Sequence, residues 1–308
     1  MRADKIVLAS HVNPDGDTLG SSLALTHALR AMGKTAVPLS HDGVPTILRW
    51  MPGHEWIQKE TDQSDFDLAI VCDTGTSDRI GRVKPIIDSA PVSICVDHHV
   101  SEGDFGQIRV VESKAAATGE LIYALLRQLR APFTKEIADC LLCALITDTG
   151  SFRYMNVTPN TFRIAGALMR CGACPAAIAE LVFENRSYSS VKLLGRALDS
   201  LKLTDDGKVA WAHVTASDFE ELGATDEETE GIVNHVRAID TVQVGVLFRE
   251  IPGKKIRISM RGRDGQDVSK VAQKFGGGGH RLAAGCHAEP PLAEAEAMVV
   301  AEVHRSLN

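Results

Sequence analysis

Aromatic residues are scarce in this chain, at 5% of 308 residues. That scarcity excludes a long stacking platform of the kind that binds single-stranded nucleic acid along its length. Positive charge is not in excess either: 33 Lys and Arg stand against 40 Asp and Glu, a formal net charge of −7. A protein that coats long nucleic acid is excluded on that balance, although local charge can still meet a small anion. No apolar run approaches the roughly 18 residues of a membrane span. The start Met1-Arg2-Ala3-Asp4-Lys5 leads into only a short apolar run, which is not the build of a signal peptide, so a cytoplasmic protein is expected. Seven cysteines, an odd number, do not make a disulfide framework. The two C-x-x-C pairs, Cys140/Cys143 and Cys171/Cys174, would have to converge to hold zinc. The first pair lies in an apolar stretch expected to be a buried helix, so free buried thiols are the better reading. There is no internal repeat and no low-complexity tract.

What is present in the first half is an alternation of strand-like and helix-like segments. Residues 6–10, 35–39, 67–71 and 92–96 are short apolar runs that read as buried strands. Residues 18–32, 118–129, 135–146, 158–170 and 175–183 carry helical spacing, with Gly33 as a stop for the first. Such alternation predicts β-α-β units on a mainly parallel sheet with helices on both faces. Residues 187–200 read as a connecting helix. Beyond it the pattern changes: strands at 209–214, 242–249 and 255–260, helices at 226–239, 268–275 and 292–307. The expected architecture is therefore an α/β domain over 1–186, a linker helix over 187–200, and a smaller α/β domain with a mixed sheet over 201–308.

The strand-like runs end in an unusual way. The first runs into His11-Val12-Asn13-Pro14-Asp15-Gly16-Asp17, the third into Asp73, and the fourth into Asp97-His98-His99. The helix 135–146 runs into Thr147-Asp148-Thr149-Gly150. Ligands of an open α/β sheet bind beyond the carboxyl ends of its strands, so these tips would share one crevice. That many carboxylates repel one another unless something offsets them. Divalent cations do so, and mixed carboxylate and imidazole ligands suit Mn²⁺, Mg²⁺, Fe²⁺ or Co²⁺. Two such ions about 3.5–4 Å apart need a bridging carboxylate, for which Asp73 is the natural candidate. Each residue alone has a plainer role: Asp17 as a cap for the helix from Thr18, Asp148 as a cap before Gly150. Four such tips in one half make the plain readings a poor joint explanation. Gly20 and the helix from Thr18 add a helix N-terminus that would favour a phosphate nearby.

Between residues 243 and 285, nine Lys and Arg meet only three acids, a local excess of +6. Within this stretch Arg257 and Arg261, four apart on a strand, face one side and can grip a terminal phosphate. Four consecutive glycines, Gly276 to Gly279, precede His280; a run of this kind is not expected to be helix or strand, and can aim backbone N–H groups at an anion.

In order, His11-x-Asn13-Pro14-Asp15-Gly16-Asp17, Asp73-Thr74-Gly75, Asp97-His98-His99 and Thr147-Asp148-Thr149-Gly150 resemble the successive motifs of the DHH phosphoesterases. Gly276-Gly277-Gly278-Gly279-His280-x-x-Ala283-Ala284-Gly285 resembles the signature of the DHH-associated domain. The resemblance spans both halves; Ser259-x-Arg261 before the glycines points to the branch acting on short oligoribonucleotides and 3′-phosphoadenosine 5′-phosphate. It implies two Mn²⁺ ions, with Mg²⁺ or Co²⁺ as substitutes: one on His11, Asp15 and Asp73, the other on Asp17, Asp73, His98 and Asp148. It implies that Asp97 orients an imidazole, that His99 faces the substrate phosphate, and that Arg257, Ser259, Arg261, Gly277, Gly278, Gly279 and His280 bind substrate. The sequence starts almost directly on its first expected strand, whereas members of the family often carry a helix before it. Short RNA or small phosphorylated nucleotides are the expected partners, with no membrane, and self-association into a homodimer is implied. A dinucleotide phosphodiesterase and an exopolyphosphatase are the neighbouring alternatives. From other classes, a non-catalytic nucleotide sensor has no need of every metal ligand, and a nicotinamide-dependent oxidoreductase lacks its G-x-G-x-x-G after the first strand.

Overall fold

Period-two burial organises the first half. In strand β1 (Lys5–Ala9), Ile6 and Leu8 enter one apolar cluster while Val7 and Ala9 enter another. Strand β3 (Leu68–Cys72) splits the same way, with Leu68, Ile70 and Cys72 on one side and Ala69 and Val71 on the other. Strands buried on both faces read as continuous apolar runs, and that is how they stand in the sequence. The computed structural model describes residues 3–99, 103–253, 255–263, 265–289 and 291–307, and its contacts divide the chain into Met1–Asn185 and Arg186–Asn308.

The first unit also contains α1 (Gly16–Ala31), β2 (Thr35–Leu39), α2 (Lys84–Asp88), β4 (Ser93–Asp97), β5 (Ile108–Val111), α3 (Thr118–Gln128), α4 (Lys135–Asp148), α5 (Pro159–Arg170) and α6 (Pro175–Ala179). Its five strands are all parallel, in the order β2-β1-β3-β4-β5. The chain leaves β1 for β2 on one side, then crosses to β3 on the other, so the switch point lies between the carboxyl ends of β1 and β3. Helices α1, α3 and α4 cover one face; α2 and the turn before it cover the other. Gly20 serves helix packing rather than an anion: a Cβ there would overlap the Cys140 carbonyl of α4. Strand β5 was not visible as a strand in sequence; all four of its residues are exposed at the sheet edge. After α6 the chain continues in a π-helical turn, Glu180–Glu184.

The second unit holds α7 (Tyr188–Asp199), β6 (Lys202–Leu203), β7 (Val209–Val214), α8 (Ala216–Leu222), α9 (Ile232–Arg237), β8 (Val244–Arg249), β9 (Ile256–Gly262), α10 (Val268–Lys274), β10 (Gly278–His280), β11 (Ala283–Ala288) and α11 (Leu292–Ser306). Its sheet runs β10-β11-β9-β8-β7-β6 and is mixed, with β7 and β8 parallel and the other pairs antiparallel. Helix α7, set apart by the sequence reading as a connector, belongs to this unit, with Leu193 and Ala197 fully buried in its core. The single helix expected over 226–239 is two pieces, Asp226–Thr229 and α9, because the backbone leaves helical angles at Glu230 and Gly231.

The glycine run corrects an expectation. Gly278 and Gly279 are strand residues in β10, paired with Gly285 and Ala284. A Cβ on Gly277 would overlap the Gly285 carbonyl, and one on Gly279 would lie 2.6 Å from the Ala283 carbonyl. The glycines let two backbones approach where any side chain would hold them apart. Among the described residues no single helix is long and apolar enough to cross a membrane.

Candidate metal centre

Three strand ends and one helix end build the site. His11 follows β1 and is 2% exposed. Its Nδ1 donates to the Val12 carbonyl at 2.8 Å, which turns Nε2 toward Asp73 Oδ2 at 3.3 Å and Asp15 Oδ2 at 3.7 Å. Asp15, not Asp17, caps α1: its Oδ1 accepts from the backbone N–H of Asp17 and Thr18, both at 3.1 Å. One carboxylate thus starts the helix and presents its other oxygen to His11.

Asp17 is freed from capping and is fully buried. Its Oδ2 accepts from Thr118 N at 2.6 Å and its Oδ1 from Gly119 N at 2.9 Å, so the first turn of α3 grips it. Asp73, just past β3, holds a left-handed backbone at φ 67. A non-glycine residue pays strain for that conformation, and such residues cluster at functional sites. The result is a carboxylate aimed two ways: Oδ2 toward His11, and Oδ1 toward His98 Nε2 at 3.5 Å and His99 Nδ1 at 3.7 Å. Thr118 Oγ1 donates to the same Oδ1 at 2.9 Å.

His98 donates from Nδ1 to the Ala115 carbonyl at 3.2 Å. Its Nε2 then faces Asp148 Oδ2 at 3.1 Å and Asp17 Oδ2 at 3.8 Å. Asp148 is the last residue of α4. The imidazole that Asp97 holds is that of His99, whose Nδ1 donates to Asp97 Oδ1 at 2.6 Å. A backbone carbonyl, rather than Asp97, orients His98. The second oxygen of Asp97 is buried without a hydrogen-bond partner among the described residues.

The charges press on one another. Burial, then the charges of Asp73, Asp148 and Asp15, push the Asp17 carboxyl well above its ordinary range. Burial pushes Asp148 up to about 6 despite the hydrogen bond from His98. Burial works against a charged His98, but the bond and charge of Asp148 and the charge of Asp73 raise it to about 9. Burial also opposes ionisation of Asp73, yet the hydrogen bond from His11 and the neighbouring imidazoles hold it below the usual carboxylate range. Without cations this set ionises only in part; cations among the ligands remove the conflict.

Among the described residues, three overlapping groups have ligand atoms within 4.8 Å of one another: His11 with Asp15 and Asp73, Asp73 with His98 and His99, and Asp17 with His98 and Asp148. Asp73 and His98 each belong to two. Sequence reasoning missed Thr118, which holds both Asp17 and Asp73; its only signal is a small polar residue at a helix start. All seven cysteines are free, and Cys140 and Cys143 are buried in α4.

In the second unit, Arg257, Ser259 and Arg261 share one face of β9, opposite the buried Ile256, Ile258 and Met260. Asp226 ties Arg257 at 2.5 Å and Arg249 at 3.0 Å, and Arg249 also donates to Ser259 Oγ at 2.7 Å. Neither Asp226 nor Arg249 was singled out in sequence. Gly278 has open space around its Cβ position. His280 continues β10 by its backbone; its side chain, like Lys254 and Asp264 of the basic stretch, lies outside the described residues.

Residues 5–145 match the DHH family, N-terminal domain, and residues 206–305 match the DHHA1 domain. The chain is 33% identical over 285 residues to the bifunctional oligoribonuclease and PAP phosphatase NrnA of Thermus thermophilus, covering 91% of this chain and 83% of that protein. It is 28% identical over 285 residues to the protein of the same description from Bacillus subtilis, covering 92% and 88%. Among solved structures, an exopolyphosphatase-related protein from Bacteroides fragilis superposes with a TM-score of 0.92 at 29% identity, over 99% of this chain and 93% of that one.

Proposed function

Because the chain belongs to the DHH family and is a hydrolytic nucleotide phosphoesterase, we propose that it cleaves short oligoribonucleotides to mononucleotides and 3′-phosphoadenosine 5′-phosphate to AMP, with Mn²⁺ as its metal. The observation that carries the reading is the two-way carboxylate of Asp73, shared between ligand groups at the switch point of the sheet.

The donor set fits a pair of divalent ions: carboxylate and imidazole without thiolate, partly buried, and electrostatically strained as it stands. His11, Asp15 and Asp73 would hold one ion, and Asp17, Asp73, His98 and Asp148 the other. Bound there, such ions supply positive charge for the phosphoryl oxygens and make water acidic enough to attack near neutral pH. The protein's own part is placement. Val12 and Ala115 carbonyls set the ring orientations of His11 and His98. Thr118 and Gly119 keep Asp17 in place. Asp97 fixes the ring of His99 at the rim of the cluster, where it meets the substrate phosphate. Water adds to phosphorus, the ester P–O bond breaks, and the departing ribose oxygen leaves as a hydroxyl. In the second unit, Arg257, Ser259, Arg261, Gly277, Gly278, Gly279 and His280 are the proposed substrate-binding residues. The same reading makes the enzyme cytoplasmic, where short RNA remnants arise, and a homodimer, since the exposed edge of β5 calls for cover.

A panel with Mn²⁺ tests this: two- to five-nucleotide RNA, 3′-phosphoadenosine 5′-phosphate, linear and cyclic dinucleotides, and polyphosphate, read by phosphate and nucleotide release. Turnover of the first two supports the proposal. Preference for cyclic dinucleotides or polyphosphate replaces it with the neighbouring activity, and tight binding without turnover makes the protein a sensor.

A further inference from the structure

The segment after Asp148 collects exposed apolar side chains in a chain with few rings to spare. Tyr154, Met155 and Phe162 are 43%, 85% and 57% exposed. Phe162 stacks on Phe152, with centroids 5.4 Å apart and planes 23° from parallel. The Tyr154 ring lies directly over Gly150, two residues past Asp148, where a Cβ would overlap it. Leaving such a group in water beside a polar centre needs a reason.

The backbone under these rings is held in place. Gly150, Ser151 and Phe152 have φ of 54, 60 and 63, a left-handed stretch with two non-glycine residues. It is tied down by Ser151 N to the Ile146 carbonyl at 2.7 Å, Phe152 N to Thr149 Oγ1 at 2.9 Å and Tyr154 N to the Thr149 carbonyl at 3.1 Å. Asn156 Nδ2 donates to the carbonyls of Asp148, at 3.0 Å, and Ala116, at 2.9 Å, so the end of the segment is fastened to two parts of the metal centre. Strain in a segment pinned to a catalytic group points to a task for what it displays. The segment begins two residues past Asp148, with Tyr154 over Gly150, and its surface is made of ring faces and a thioether, which stack on any base.

We propose that Tyr154 and Met155, flanked by the Phe152–Phe162 pair, form a stacking subsite for the nucleobase next to the scissile phosphate. The inference rests on the proposed activity and adds a specificity element to it: the enzyme reads a base there without reading its sequence. Short substrates would thereby be favoured in a chain too poor in aromatics to track a long strand.

Steady-state kinetics with Mn²⁺ on adenylyl-adenosine, and on the two analogues in which one ribose is abasic, test it. Tyr154→Ala and Phe162→Ala are expected to lower kcat/KM on the full dinucleotide about tenfold, mainly through KM, as loss of one stacked base does. Tyr154→Phe is expected to match wild type. On the analogue lacking the contacted base, all variants are expected to coincide with wild type. Alanine variants within twofold of wild type on the full dinucleotide, or an equal loss on both abasic analogues, overturn the subsite while leaving the activity intact. A wild-type enzyme inactive on the dinucleotide overturns the activity, and the subsite with it.

Discussion

Raising the pH from 6.5 to 8.5 is expected to tighten Mn²⁺ binding about a hundredfold. The magnitude comes from His98. In the metal-free protein its imidazole is raised to about 9, because the bond and charge of Asp148 and the charge of Asp73 outweigh burial. A ligating imidazole must be neutral, so binding below pH 9 expels that proton. Each pH unit below 9 then weakens binding tenfold, about 1.4 kcal/mol, and two units make about a hundredfold. Asp148, raised to about 6, adds a second proton only toward the acid end. His11 is raised as well, so the slope of log K against pH is expected to be at least one. Calorimetry of EDTA-treated protein under argon, in two buffers of different ionisation enthalpy, measures affinity and protons released together. An affinity that stays flat across this range, with no proton released, refutes the electrostatic account of the cluster.

Three further outcomes are expected. Gly20→Ala should destabilise the protein by roughly 1–3 kcal/mol in urea unfolding, because the new methyl overlaps the Cys140 carbonyl between α1 and α4. In the second unit, Glu296 accepts from His213 Nδ1 at 2.5 Å, Lys202 Nζ at 2.9 Å and Trp211 Nε1 at 3.2 Å; burial opposes its charge, but these bonds hold it down to about 2. A depressed carboxylate stabilises above its unfolded value of 4.5 and loses that contribution as pH falls toward 2, so Glu296→Gln should melt lower at pH 7 and show a flatter decline across that window. If the proposed homodimer forms through the exposed β5 edge, Ile108→Lys with Val110→Lys should leave only monomer in light scattering, and a wild-type monomer contradicts that proposal.

The readable part of the fold was the part buried on both sides. Strands β1 to β4 announce themselves as apolar runs, and the residues at the ends of β1, β3 and β4 stand out because a buried strand has no use for Asp or His at its tip. Strand β5 gave no such signal, since Ile108 to Val111 form an exposed edge. Strands β10 and β11 are mostly Gly and Ala, which are poor strand formers, and their pairing depends on backbone closeness that no periodicity reveals. The division of labour inside the site was also hidden. Both Asp15 and Asp17 could cap a helix; only the observed start at Gly16 assigns capping to Asp15 and leaves Asp17 buried. That Asp97 serves His99 while a carbonyl serves His98 depends on distances, not on the order of the triplet. The pairing of Arg249 and Arg257 through Asp226 joins residues 23 and 31 positions apart, beyond any local pattern.

The most direct test compares wild type with Asp73→Ala on a short oligoribonucleotide, after EDTA treatment and with Mn²⁺ restored. Asp73 is the carboxylate that both proposed ion sites share, so its loss is expected to abolish turnover, at least a thousandfold down, while far-ultraviolet circular dichroism stays that of the wild type. A folded Asp73→Ala enzyme with wild-type turnover in Mn²⁺, or a wild type equally active in EDTA, would contradict the two-ion account.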